Sequence, residues 1–157
     1  MAKAGYTAST EANVALVAAT AKTVLGVLAP AQFGMDLRGI EIAFDGVTTT
    51  DKAVLCEVCK CTFATNPPGT NSTSNTVQQV YGPTITAGFT GAYNWTTEPT
   101  VISVVKTILV SPVSATYDYD WPAGETLDNA VSTGFALRLT APTSAVNARA
   151  SFRFERA

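Results

Sequence analysis

Residues 146 to 156 alternate apolar and polar almost without a break. Val146, Ala148, Ala150, Phe152 and Phe154 fall on one parity, and Asn147, Arg149, Ser151, Arg153 and Glu155 on the other. Successive side chains leave a pleated backbone on opposite sides, so a period of two marks a strand with one dry face and one wet face. The segment predicts a strand with Phe152 and Phe154 turned inward, and such a strand requires a sheet around it.

The same period recurs upstream. Ile40, Ile42 and Phe44 alternate with Glu41, Ala43 and Asp45, and the Asp45-Gly46 turn signal closes that strand. Phe135, Leu137 and Leu139 oppose Ala136, Arg138 and Thr140 between residues 134 and 140, and Tyr117, Tyr119 and Trp121 alternate with Asp118 and Asp120. A first strand pair is expected from residues 13–18 and 22–28, stopped at Ala29-Pro30, with further strands over 52–63 and 77–81. From Thr100 to Val110 both parities are apolar, which predicts a strand covered on both faces by a second sheet or a neighbouring subunit. Residues 64–76, ATNPPGTNSTSNT, are turn formers and read as a long exposed loop; Phe89, Tyr93 and Trp95 beyond it read as plugs over the end of the fold.

No stretch longer than about ten residues sustains a helical period. Eight or nine strands at this spacing predict an all-β antiparallel β-sandwich, with a jelly roll as the leading architecture and an immunoglobulin-like sandwich second. Strand order does not follow from the pattern. A chain of 157 residues can bury one sizeable core. We expect one sandwich domain over residues 13–157, preceded by a flexible N-terminal arm over residues 1–12 that latches onto a neighbour.

Only 14% of residues are charged, well below the roughly 25% of ordinary soluble domains. A surface so poor in charge suggests protein neighbours. The net charge is −2 and the ten basic residues are scattered, which argues against nucleic acid as a partner, because phosphate binding needs a concentrated positive patch. The first twenty residues read as neither a signal peptide nor a membrane span. The glycosylation-type triplets at Asn71 and Asn94 therefore read as loop composition.

Histidine is absent from the sequence, and with it the commonest general base and zinc ligand. Cys56, Cys59 and Cys61 do not converge on a regular strand, since the last two share a face and the first points away; they read as free apolar thiols without metal. Asp118, Asp120, Glu125 and Asp128 form an acidic group that reads as a solvated face or a salt-bridge partner rather than a calcium site, because its spacing matches no calcium loop. No catalytic, metal or cofactor residues are assigned, and the chain reads as a non-enzyme. The candidate contacts for a partner or glycan are Tyr117, Tyr119 and Trp121, with Tyr93 and Trp95 as loop aromatics.

Several phrases resemble bacteriophage virion structural proteins: TAKTVLGVLAP at 20–30, FATNPPGTNSTS at 63–74, GFTGAYNWTTEP at 88–99 and GFALRLTAPTSAVNARASFRFER at 134–156. The resemblance is one of texture and short phrases over about the last six-sevenths of the chain. It implies a capsid-associated or decoration subunit of a tailed phage, made in the host cytoplasm and located in the virion. Its implied partners are the major capsid protein or other virion proteins; self-association, with a trimer favoured, is expected from the doubly apolar stretch at 100–110, the sparse charge and the polar N-terminal residues. The alternative the resemblance leaves is a glycan- or receptor-binding module of a tail or fibre.

Overall fold

The terminal alternation becomes a ten-residue strand in the middle of a sheet. The structure, a computed structural model, describes residues 3–48, 51–100, 102–113 and 116–157, and its regular structure is all strand, packed as an antiparallel β-sandwich. One sheet contains β1 (Gly5–Ser9), β2 (Val14–Ala15), β4 (Met35–Asp45), β7 (Gln78–Tyr81), β10 (Tyr117–Asp120), β11 (Leu127–Asn129) and β13 (Asn147–Arg156). The other contains β3 (Ala21–Leu28), β5 (Val54–Cys61), β6 (Thr73–Asn75), β8 (Thr90–Tyr93), β9 (Ile102–Val110) and β12 (Gly134–Thr140).

The seven-stranded sheet runs β10-β4-β13-β1-β7, with β11 beside β4 and β2 beside β13; the six-stranded sheet runs β6-β8-β3-β12-β5-β9. Register follows from the inward residues. Phe152 lies opposite Ala8 on one side and Ile40 on the other, and Phe154 lies opposite Tyr6 and Leu37, all of them buried. A one-residue slip would turn each of these to solvent, so the alternation itself fixes the pairing. Val24, Leu25, Val27, Val58, Phe135, Leu137 and Leu139 complete the same core from the opposite sheet.

Residues 3–12 are not an arm. Residues 5–9 form β1 between β13 and β7, with Ala4, Tyr6 and Ala8 buried. The segment lacks large apolar residues apart from Tyr6, so its sequence looks self-sufficient only as coil; its burial comes from partners at the far end of the chain. The expected pair 13–18 and 22–28 also divides, since β2 joins β13 while β3 joins β12 and β8.

The strand at 102–110 is an edge strand, not one covered on both faces. Val104, Val105 and Leu109 are 42%, 39% and 70% exposed. A β-bulge explains the double apolar parity: Lys106 pairs with Val58 but Val104 pairs with Cys59, leaving Val105 as the extra residue. The even positions therefore face the core below the bulge, at Ile108 and Val110, and the outer side above it. Val101 lies outside the described residues.

A second, smaller core covers the outer side of the six-stranded sheet. Cys59, Cys61 and Ala136 meet Phe63, Ala92 and Trp95 there, beneath the loops that follow β5 and β8. Gly26 leaves room for the edge of the Trp95 ring, with which a Cβ there would collide.

Candidate functional site

The three aromatics of the 117–121 stripe face inward at the open edge where β9 and β10 meet. Tyr119 and Trp121 pack edge to face at 5.1 Å and 89°, and Lys106 from the opposite sheet places its ammonium 4.3 Å from the Tyr119 ring centre. Tyr117 is half-buried against the core, and that burial pushes its hydroxyl pKa up. The stripe closes the sandwich edge rather than offering three open rings.

Trp95 and Tyr93 lie elsewhere. Trp95 is buried, stacks on Phe63 at 6.0 Å and donates its indole N–H to the Asn66 carbonyl at 2.9 Å. Tyr93 is half-buried against the main core. Phe89 packs edge to face with Tyr6, Phe33 and Phe154. Of the three expected plugs, only Phe89 packs into the main core from a loop; Trp95 covers the outer face of the six-stranded sheet, and Tyr93 lies within β8. Asn71 and Asn94 adopt left-handed backbone, at φ of 53° and 57°, as asparagine does in turns.

The acidic group divides as well. Arg153 donates to Asp118, and to Asp120 through Nη2 at 2.8 Å and Nε at 3.1 Å, with Glu41 3.8 Å away. Burial works against the Arg153 charge, but the hydrogen bonds it donates to both aspartates outweigh that and hold its pKa up. A guanidinium thus sits where a cation would have to sit. Asp128 instead pairs with Lys60 at 3.6 Å. Among the described residues no group of three or more ligating side chains is poised to hold a metal. Cys56 lies in the main core and Cys59 and Cys61 in the outer one, the parity expected of them, and all three are free and buried.

The periodicity does not single out a cleft of about 270 Å³ that crosses the seven-stranded sheet, lined by Arg38, Val80, Tyr81, Asp120, Trp121 and Arg153 among others. Two bulges build it. Between the pairs Arg153·Gly39 and Phe154·Leu37 the extra residue is Arg38, and between the pairs Tyr81·Gly5 and Gln79·Tyr6 it is Val80. Two glycines seat its walls: a Cβ on Gly5 would strike the Tyr81 ring, and one on Gly39 would strike Asp120 and Arg153. Tyr81 donates to Glu155 at 2.6 Å, and Arg38 lies 3.7 Å from the same carboxylate. Burial, then the adjoining Glu155, pushes the Tyr81 hydroxyl up to about 12. The one sequence signal for this cleft was Gly39, an isolated glycine inside a strand pattern.

Comparison with protein-family models, with curated proteins and with solved structures finds no match for this chain.

Proposed function

We propose that this chain is a non-enzymatic structural subunit of a bacteriophage virion, of the decoration type, that works by contact with its own copies and with the capsid. The observation that carries the reading is the β9 edge. Among the described residues no strand pairs with the outer rim of the nine-residue β9, and Val104, Val105 and Leu109 stand exposed on that strand, followed by an exposed Val113. A long edge with apolar side chains is a template for another chain. The phage setting rests on the resemblance of the phrases quoted above, and the low charge of the chain agrees with a life among protein neighbours.

The proposed fold is the jelly roll. Its support is a nested set of antiparallel pairs, β1 with β13, β3 with β12, β4 with β10 and β5 with β9, which is the order left by one long hairpin rolled across two sheets.

Static light scattering tests the contact reading. The wild-type chain is expected to be a closed oligomer at micromolar concentration, a trimer by the sequence-level expectation, and the double substitution Val105→Lys, Leu109→Lys is expected to release monomers. A monomeric wild type would remove the self-association. Antibody labelling of virions gives the location: dense labelling of the head supports decoration, whereas label confined to the tail favours the receptor-binding alternative.

A further inference from the structure

We propose that the cleft across the seven-stranded sheet binds a single neutral hexopyranose unit of a glycan. None of the exposed β9 residues Val104, Val105 and Leu109 lines it, so its test is separate from that of the assembly reading. Both bulges of this region deliver their extra residue, Arg38 and Val80, to the same cleft. Bulges re-aim side chains at sites where regular pleating would point them elsewhere. Gly5 and Gly39 let two of its walls lie close on the sheet, because a Cβ at either would collide with the Tyr81 ring or with the Asp120–Arg153 pair.

The chemistry of the lining selects the ligand. Tyr81 lies over Gly5 with one side against the sheet and is 51% exposed, so a ring face remains open for stacking. Beside it, Asp120 commits only Oδ1 to Arg153, leaving Oδ2 to accept, and Arg38 makes only a long contact to Glu155, leaving donors to spare. An apolar wall beside a donor and an acceptor matches a pyranose, which has C–H faces and a hydroxyl rim. A purely apolar ligand would strip water from Arg38 and Asp120 without replacing those hydrogen bonds. An anion is disfavoured, since Glu41, Asp118, Asp120 and Glu155 outnumber the two arginines around the cleft. The volume suits one ring rather than an extended chain.

Saturation-transfer NMR with methyl glucoside, methyl galactoside and methyl mannoside, each at about 10 mM, tests the proposal. At least one is expected to receive saturation at its C–H face with a dissociation constant on the order of 1 mM, the range for a ligand of this size. Tyr81→Ala and Arg38→Ala are each expected to weaken that binding about tenfold. Tyr81→Phe, which keeps the ring and loses the bond to Glu155, is expected to retain it and guards against misreading a folding defect. Absence of transfer from all three sugars overturns the proposal, as does binding that survives Tyr81→Ala unchanged.

Discussion

The buried thiols show how far one residue's surroundings can move its chemistry. Burial raises Cys56 and Cys59 to about 12, well above the usual thiol value of 9.0. Near pH 8 almost no thiolate forms at either site, and iodoacetamide is expected to leave both unmodified in the folded chain and to label both in urea, as read by mass spectrometry. The sign of the pH effect follows. A raised folded-state pKa means stability that is complete below the unfolded thiol value and is lost as pH climbs from about 9 towards 12. Packing sets a larger effect at Phe152, which is buried between Ala8 and Ile40 on neighbouring strands. Phe152→Ala is expected to cost about 3–5 kcal/mol in urea melts. Arg149, on the wet face with an exposed bond to Asn13, is expected to cost under about 1 kcal/mol when changed to Ala. Equal losses at the two positions would contradict the inward and outward assignment.

Among the elements, the outer core is the one whose failure can be read separately. Trp95 roofs Cys59 and Cys61, and its loop is tied down by Glu98, whose carboxylate accepts from the Thr23 backbone at 2.7 Å and hydroxyl at 2.6 Å, while its carbonyl accepts from Asn66 at 3.0 Å. Trp95→Ala is expected to cost about 3–5 kcal/mol and to expose Cys59 and Cys61 to alkylation while Cys56, in the other core, stays protected. Simultaneous labelling of all three would mean that the two cores open together. The strands that build the main core were legible because their alternation is strong: residues 134–140 and the terminal strand were read at nearly their observed bounds. The cleft was not legible, because it depends on two bulges that displace Arg38 and Val80 from regular pairing. A single extra residue leaves no mark on a period-two reading unless its partner strand is already known. Thr100 to Val110 misled for the same reason, since the bulge at Val105 exchanges the two faces halfway along the strand.

At the scale of the whole molecule, the chain's two ends are one piece of structure. β1 fills the gap between β13 and β7, its five residues pairing with Ser151 to Glu155 on one side and its first three, Gly5 to Thr7, with residues 78–81 on the other. Tyr6 anchors it by stacking on Phe154 at 5.9 Å and meeting Phe89 edge to face at 5.2 Å. Local periodicity cannot reveal such a strand, because its stability comes from residues about 140 positions away. Loop closure over that separation must precede any gain from contact, which makes slow folding, in milliseconds to seconds, the expectation for this topology. Deleting residues 1–12 therefore removes an inner strand rather than a tether. It leaves the inward rings of β13 without their neighbour, forfeits roughly 1.5–3 kcal/mol for the burial of Tyr6, and unpairs the rims of β13 and β7 together. Against a typical total of about 5–15 kcal/mol, that loss is expected to leave the shortened chain unfolded or without fixed tertiary packing. Near-ultraviolet circular dichroism should then be flat and thermal melting no longer cooperative. A truncated chain that melts sharply within a few degrees of the full-length protein would show that β1 is dispensable to the fold and would restore the arm.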